Sequence, residues 1–415
     1  MKKLIFATSS LLMLNACGGT KSSTPAIQTP HPNETPVIME NTKQEYLNAI
    51  NHERSVQRKC GDKVKRAVEP LVWNEKLYKA EIANKFVIGN INNFEDVYNF
   101  GKTVDVLTIE IEHVNMEALL LLEKEGLKIY PQPKVLQIIK NKGLQKDFYK
   151  KNNIPTAKYQ QFNSLDCLKK GTLAFPFIWK STEFGYDGNG VKKINSITDI
   201  DSLPDTACIT EELIDFKTEL AVIVARNIDG EVKTYPVVEM EFNSNSNQVE
   251  YVLCPARISS DVATKAQKVA LRVANSFKHV GLLAVELFLT QKDEIIVNEV
   301  APRPHNSGHF SIEGSYTNQF EQHLRAILNL PLGNTDNKLS SVMVNLVGAD
   351  NYSGDVLYKN INKILSLKGV TPHIYGKKQT KPNRKMGHVT VVHENLNSAR
   401  NLAEKVKNTI IVKSK

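Results

Sequence analysis

The chain has 415 residues, enough for two or three domains that each bury a hydrophobic core. Its formal charge of +9 is a mild basic excess, which argues against a dedicated nucleic-acid-binding protein and suits small anionic ligands equally well. The five cysteines are scattered without a CxxC pair, which argues against a zinc site and a disulfide framework. Beyond the N-terminus, no apolar stretch approaches the ~20 residues that a membrane span needs.

The first 17 residues have the pattern of a targeting segment. Two lysines precede an apolar run, which is too short for a stable span. The run ends in Leu14-Asn15-Ala16-Cys17, which resembles a bacterial lipobox with Cys17 as the acylation site. A buried N-terminal strand is the alternative interpretation.

The segment that follows changes character twice. Residues 18–42 are rich in Thr, Ser, Pro and Asn and are predicted to form a disordered linker. Residues 43–83 are predicted to contain two amphipathic helices, and they resemble the opening of a CAP-type domain. His52 lies in this segment and receives no functional role.

From residue 84 onward, short apolar strand candidates alternate with helical stretches, which indicates an α/β layer. The first strand candidates are FVIGN (86–90), VDVLTIEIE (104–112) and LKIYP (127–131), and residues 134–155 predict two helices that end at Pro155. Further strands are predicted at 175–180, 207–214, 220–226, 234–242, 249–258 and 342–348, helices at 262–279 and Asn318–Leu328, and a small β-rich segment at 373–392.

Residues 284–300 carry the main candidate site. Two apolar runs are separated by Thr-Gln-Lys-Asp, which predicts a β-hairpin. With Glu286 opposite Val297, Glu299 lies on the same face and its carboxylate is a diagonal neighbour, roughly 7–8 Å away. Two acids on apolar strands are costly unless a cation lies between them, so the pattern predicts Mg²⁺.

Two further features point to a catalytic site rather than a surface hairpin. A polar loop containing Arg303, His305 and Asn306 follows the hairpin directly. Upstream, the glycines of FGYDGNGV allow a backbone loop to approach phosphates, and Lys180 at the preceding strand end can reach the same phosphates. The loop is neither a P-loop, because no GKS or GKT follows, nor a Rossmann fingerprint.

In chain order, Lys180, the glycine loop, Glu211-Glu212, Glu219, Glu286 and Asn298-Glu299 resemble the ATP-grasp superfamily. Longer motifs resemble the N5-carboxyaminoimidazole ribonucleotide synthase family over about residues 84–415: DVLTIEIEHVN, IPTAKY, GYDGNGV, YPVVEMEF, NEVAPRPHNSGHFSIEG and RKMGHVTV. The resemblance implies an α/β and α+β fold. It would comprise a truncated N-terminal doubly wound α/β domain (84–135), an ATP-grasp domain (136–330) and a small C-terminal β-rich domain (331–415).

The same resemblance implies site residues. Those for ATP and Mg²⁺, with Mn²⁺ as an alternative metal, are Lys140 and Lys180 on the phosphates; Gly185, Tyr186, Asp187, Gly188, Asn189, Gly190 and Val191 in the closing loop; Glu211, Glu212, Leu213 and Ile214 in the adenine-binding strand; Glu219 on the ribose; Asn298; and Glu286 and Glu299 on the metal. Those for aminoimidazole ribonucleotide and carboxyphosphate are Asp187, Asn306, Arg384 and Lys385, with Tyr186, Arg303, His305 and Lys377 as catalytic residues. His388 and His393 are assigned structural roles.

The implied reaction is the ATP-dependent carboxylation of aminoimidazole ribonucleotide with bicarbonate, in purine synthesis. The alternatives are an exported lipoprotein with an inactive ATP-grasp body, and another ATP-grasp carboxylase or a formate-dependent transformylase. The implied enzyme is a cytoplasmic homodimer without nucleic-acid partners, whereas a lipid on Cys17 would attach it to a membrane. The Lys377–Lys385 cluster is alternatively a solvated turn.

Two features depart from the family. Phe242 stands where many relatives carry a histidine in the ATP site, and stacking could substitute for that contact. The strand and glycine-rich turn that open the family's N-terminal domain are absent, so the chain resembles a junction between unrelated segments. A sheet without those first strands would expose apolar edges.

Overall fold

The computed structural model describes residues 58–60, 63–65, 87–183, 190–244, 246 and 248–415. The predicted targeting segment, the linker and both predicted helices of residues 43–83 lie outside the described residues, as do residues 184–189 of the glycine loop. Between those two helices, Arg58–Cys60 (β1) and Lys63–Lys65 (β2) pair as an antiparallel hairpin.

The first α/β unit is small. The strands Val106–Thr108 (β3) and Lys128–Tyr130 (β4) are parallel, and they are joined by the helix Met116–Lys124 (α2); the helix Phe94–Gly101 (α1) precedes them. Leu119, Leu122 and Ile129 are fully buried in its core. The prediction of a strand at 86–90 is wrong for residues 87–90, which are exposed coil. Among the described strands, β3 and β4 pair only with each other, so residues 87–90 have no strand beside which to pair.

The second unit starts with the predicted helix pair, which is confirmed. Its four-stranded antiparallel sheet has the order β5-β8-β6-β7 within the described residues, and Phe177 and Trp179 anchor its core. The bounds are Pro133–Lys140 (α3), Lys142–Lys151 (α4), Tyr159–Phe162 (β5), Leu165–Lys170 (α5), Phe177–Ser181 (β6), Val191–Ile194 (β7), Ile197–Ile200 (α6) and Cys208–Glu212 (β8).

A large antiparallel sheet forms the body of the molecule. In the described part of the chain it runs β14-β13-β9-β11-β12-β15-β19-β17, where β19 is Lys385–His393 and β17 is Val370–Ile374, and β10 is paired to β9. The helix α7 packs on one face of the sheet through apolar residues at every third or fourth position of the helix. The helix α9 packs on the opposite face. The bounds are Phe216–Arg226 (β9), Val232–Thr234 (β10), Val238–Phe242 (β11), Val249–Cys254 (β12), Ser260–Phe277 (α7), Gly281–Thr290 (β13), Ile295–Ala301 (β14), Ser311–Gly314 (α8), Gln319–Ile327 (α9) and Ser340–Val347 (β15).

The C-terminal part of the chain contains helices in addition to the predicted β-rich segment. The helix Leu396–Thr409 (α11), which was not predicted from the sequence, packs Ala399, Ala403 and Val406 against the large sheet. The remaining bounds are Gly354–Lys359 (β16), Ile361–Leu365 (α10), Val370–Ile374 (β17), Gln379–Thr380 (β18), Lys385–His393 (β19) and Ile411–Ser414 (β20). Among the described helices, none combines the length and apolar character needed to cross a membrane.

Candidate functional site

The β13–β14 hairpin is confirmed, but its predicted register is wrong. Leu287, not Glu286, pairs with Val297, and Val285 pairs with Val300. Two residues of β14, Asn298 and Glu299, therefore oppose the single residue Glu286 in a β-bulge. The bulge makes Glu299 a direct rather than a diagonal neighbour of Glu286.

Three acids of the large sheet share this region: Glu219 on β9, Glu286 on β13 and Glu299 on β14. Burial raises the pKa of Glu286, and the charges of Glu299 and Glu219 raise it further. Burial also raises the pKa of Glu219 to about 7. The Lys142 ammonium group holds the pKa of Glu299 well below its usual range. The acids thus form a cluster of negative charge with too little positive charge beside it.

The two carboxylates and the neighbouring Asn298 amide supply oxygen atoms, which Mg²⁺ prefers. No group of three or more His, Cys, Asp or Glu side chains in the described part of the chain has the arrangement of a metal site. Two carboxylates are enough when substrate phosphates complete the coordination of Mg²⁺. The raised pKa of Glu286 also indicates that a cation would be stabilised here. The residues therefore fit a Mg²⁺ ion.

Two lysines of the helix α4 complete the site, and neither was predicted from the sequence. Lys142 Nζ lies 2.5 Å from Glu299 Oε2. One helical turn later, Lys146 Nζ lies 2.9 Å from Glu211 Oε1 and donates to Thr156 Oγ1 at 2.6 Å. Lys140, which the resemblance implied, lines one cavity together with Lys142 and Glu299, but its ammonium group donates to the Val114 carbonyl at 3.3 Å.

Lys180, Glu211 and Lys146 form a buried charge cluster between the helix pair and the smaller sheet. Lys180 Nζ lies 2.9 Å from Glu211 Oε2 and donates to Asn298 Oδ1 at 2.9 Å. The three side chains are 8%, 4% and 2% exposed. Burial lowers the pKa of Lys146 to about 8. With two lysines and one carboxylate, the cluster has an excess of positive charge, and Lys180 connects it to Asn298, the neighbour of Glu299 in β14.

The polar loop after β14 places Arg303 and His305 at the other end of the site. Arg303 Nε donates to Glu112 Oε1 at 3.0 Å, and His305 Nε2 lies 3.4 Å from Glu286 Oε1. Burial and the neighbouring Arg303 charge hold the pKa of His305 well below its usual range. The Ser307 amide donates to His305 Nδ1, so the neutral ring carries its proton on Nε2.

Acidic residues of the first α/β unit, which were not predicted from the sequence as site residues, face this loop. Glu112 lines the cavity, and burial raises the pKa of Glu110, which lies within the influence of the Arg303 and Lys377 charges. The alternation of Glu110 and Glu112 in TIEIEH was the signal that could have identified them. Hydrogen-bond acceptors therefore border this end of the cavity.

The C-terminal lysines reach the same region. Lys385 lines the cavity, and Lys377 Nζ donates to the Lys385 carbonyl at 2.7 Å. Arg384 does not line the cavity, because its guanidinium donates to the Gln379 carbonyl at 2.7 Å. Asn306 lines the cavity and exchanges amide hydrogen bonds with Asn345.

A cavity of about 440 Å³ joins the two ends of the site. Glu286, Glu299 and Lys142 line it together with Arg303 and His305, and Phe242 also contacts it.

The remaining predicted residues lie elsewhere in the described structure or outside it. Leu213 and Ile214 follow the end of β8, where Leu213 is exposed, and the Glu212 amide donates to the Lys158 carbonyl. Gly190 precedes β7 and Val191 is the first residue of that strand, whereas Gly185, Tyr186, Asp187, Gly188 and Asn189 lie outside the described residues. His388 is buried in the sheet, and His393 accepts a hydrogen bond from the Asn395 amide.

Models of three protein families match the chain in sequence. They are the ribonucleotide synthetase preATP-grasp domain over residues 74–140, the ATP-grasp domain over residues 147–320, and the phosphoribosylaminoimidazole carboxylase C-terminal domain over residues 341–402. The first match begins inside the segment that resembles a CAP-type domain. Together the matches establish an ATP-grasp fold with a preATP-grasp domain and a C-terminal domain.

Individual proteins are similar over most of the chain. Phosphoribosylaminoimidazole carboxylase of Candida glabrata is 38% identical over 324 residues, which are 75% of this chain but only 56% of that protein. The crystal structure of N5-carboxyaminoimidazole ribonucleotide synthetase from Thermotoga maritima is 39% identical with a TM-score of 0.75, over 81% of this chain and 89% of that one. The Aspergillus clavatus N5-carboxyaminoimidazole synthase, in complex with ADP and aminoimidazole ribonucleotide, is 34% identical with a TM-score of 0.70, over 77% and 85% of the two chains.

Proposed function

The chain belongs to the N5-carboxyaminoimidazole ribonucleotide synthase family, and we propose that it carboxylates aminoimidazole ribonucleotide with bicarbonate at the expense of ATP. The products would be N5-carboxyaminoimidazole ribonucleotide, ADP and phosphate, in purine synthesis. The Aspergillus clavatus structure with ADP and aminoimidazole ribonucleotide supports these substrates. The compartment that contains ATP and purine precursors is the cytoplasm, where we expect the reaction.

One observation carries the proposal: a single cavity is lined by the Glu286–Glu299 pair and by the Arg303–His305 loop. The acid pair with its lysines suits the triphosphate of a nucleotide and a divalent cation. Arg303, Lys385 and the acids of the first α/β unit suit a second, anionic substrate that also carries hydroxyl and amine groups. A reaction between a nucleotide phosphate and a second substrate requires this continuity.

In the first step, a bicarbonate oxygen attacks the γ-phosphorus of ATP, and the bond between that phosphorus and the β,γ-bridging oxygen breaks. ADP leaves and carboxyphosphate forms. Lys142 and Lys180 would stabilise the charge that develops on the phosphate oxygens. Mg²⁺ bound by Glu286 and Glu299 would supply further charge neutralisation on the phosphates.

In the second step, the exocyclic amine of the ribonucleotide attacks the carboxyl carbon of carboxyphosphate, or CO₂ released from it. The carbon–oxygen bond to phosphate breaks, and the amine proton passes to the departing phosphate. Arg303 supplies a permanent positive charge, and neutral His305 would donate its Nε2 proton as a hydrogen bond to the intermediate. The enclosed cavity would limit hydrolysis of carboxyphosphate.

The test is ADP release by the purified full-length chain with Mg·ATP, with and without bicarbonate and aminoimidazole ribonucleotide. We expect turnover that requires both additions. ATP hydrolysis that the ribonucleotide does not accelerate would contradict the proposed substrate. ATP binding without any turnover would instead indicate an inactive ATP-grasp body.

A further inference from the structure

Gln319, the first residue of α9, makes an unusual set of hydrogen bonds with the polar loop. Its side chain is fully buried. Its Oε1 accepts from the His305 amide at 2.9 Å, and its Nε2 donates to the His305 carbonyl at 2.9 Å. The side-chain amide therefore binds both main-chain groups of one residue, as a neighbouring strand would.

The same amide also contacts a second histidine. Gln319 Nε2 lies 2.9 Å from His309 Nδ1, and the Gln319 backbone amide donates to Ser311 Oγ at 2.9 Å. The loop closes tightly around it, because a Cβ atom added at Gly308 would lie 2.3 Å from Gln319 Oε1. The position of the amide is therefore determined by several contacts at once.

The residue held in this way is the one that joins the two ends of the site. His305 Nε2 faces Glu286, and the His305 ring lies beside Arg303 in the cavity. Because the direction of a side chain follows from the backbone that bears it, a shift of the His305 peptide would move the imidazole relative to Glu286. A displacement of about 1 Å at a reacting group can cost on the order of 10²-fold in rate.

We propose that Gln319 is a positioning residue, which sets the orientation of His305 for the carboxylation step. Gln319 does not line the cavity, and it acts through the main chain of His305. This inference rests on the proposed function, because it assigns Gln319 an effect on the step in which His305 takes part. It concerns turnover with the ribonucleotide and not the binding of ATP.

The helix α9 offers a matched control one turn further on. Gln322 is also fully buried, and it makes the same pair of bonds to a different residue. Its Oε1 accepts from the Gly333 amide at 2.8 Å, and its Nε2 donates to the Gly333 carbonyl at 3.0 Å. Neither Gln322 nor Gly333 lines the cavity. The two glutamines therefore have the same chemistry and burial, and they differ in whether the peptide that they hold belongs to the site.

The experiment compares Gln319→Met and Gln322→Met in the full-length chain. Methionine keeps the length and flexibility of glutamine without its hydrogen bonds. Both variants are expected to lose similar thermal stability. Gln319→Met should lower kcat of the ribonucleotide-dependent reaction by on the order of 10²-fold with an unchanged KM for ATP, whereas Gln322→Met should keep kcat.

Amide hydrogen exchange of residues 303–309 provides a readout that does not depend on activity. It should accelerate in Gln319→Met and not in Gln322→Met. Faster exchange with an unchanged kcat, or equal losses of kcat in the two variants, would overturn the positioning role. Absence of turnover in the wild-type chain would overturn the proposed function instead, and unchanged exchange in Gln319→Met would show that Gln319 does not hold the loop.

Discussion

Glu211 is the shared counter-charge of two buried lysines, so its replacement has a calculable cost. Glu211→Gln would leave Lys146 and Lys180 in the interior without a carboxylate, although both now lie 2.9 Å from it. Removing one partner of a buried ion pair costs roughly 3–5 kcal/mol. We therefore expect the free energy of unfolding at pH 6.5 to fall by about that amount.

The loss should depend on pH because Lys146 can release its proton. Burial lowers its pKa to about 8 in the folded state, against about 10.4 in the unfolded chain. The unfolded state thus binds more protons above pH 8, and stability rises with pH there. For the wild type, this adds about 1 kcal/mol of stability between pH 6.5 and 8.5, whereas the uptake difference of one full proton over the same interval would add about 3 kcal/mol.

The charge of Glu211 raises the pKa of Lys146, so the variant should lose this proton at lower pH than the wild type does. The defect should then shrink by up to about 2 kcal/mol between pH 6.5 and 8.5. Urea unfolding can follow the fluorescence of Trp179, which is buried next to Lys180, in a Trp73→Phe background. Glu212→Gln, at a half-exposed carboxylate, is the control. A defect that is below about 1 kcal/mol at pH 6.5, or that stays constant with pH, would refute the reasoning.

Three further predictions concern catalysis. Glu299→Gln should lower ribonucleotide-dependent ADP release by roughly 10²–10³-fold. It should cost only about 1 kcal/mol of stability, because the Glu299 side chain is 39% exposed. Unchanged turnover in this variant would contradict the assignment of Glu299 as a metal ligand. If Glu219 accepts a hydrogen bond from the ribose, kcat/KM for ATP should rise as pH increases through about 7, the pKa to which burial raises this acid. Glu219→Gln should flatten the rise of kcat/KM with pH. A rise that persists in this variant would show that another group is responsible for the pH dependence. Arg303→Lys should raise KM for the ribonucleotide about tenfold without changing KM for ATP, because lysine lacks the planar fork of arginine; equal changes in both constants would argue against the assignment.

The sequence predicted the helices and strands that carry the site more accurately than the register in which the strands pair. The hairpin at β13–β14 and its two acids were recognisable from apolar runs around a polar turn. The register was not, because Val297, Val300 and Ala301 are all buried and the apolar pattern fits more than one pairing. The bulge depends on how β14 meets β13 in three dimensions. It decides that Glu286 and Glu299 oppose each other directly.

The lysines show a second limit. The helix pair was predicted, and residues 140–151 contain five lysines, which look alike in sequence. Lys142 and Lys146 are one turn apart on the side that meets Glu299 and Glu211, whereas Lys150 and Lys151 are exposed. Glu299, the partner of Lys142, lies 157 residues away in the chain. Glu211, the partner of Lys146, lies on β8. A local pattern carries no information about such contacts.

Two acids of the site, Glu299 and Glu211, are paired with lysines from other parts of the molecule before a substrate enters. Lys142, from the helix pair, neutralises Glu299 of the large sheet, and Lys180, from the smaller sheet, binds both Glu211 and Asn298. These contacts join the parts of the molecule that would enclose a nucleotide. In the proposed reaction, the ammonium group of Lys142 would turn from Glu299 to a phosphate oxygen, and Glu299 would then need another counter-charge. A carboxylate beside the acids Glu286 and Glu219 is costly without one, so the binding of nucleotide and of a divalent cation should favour each other.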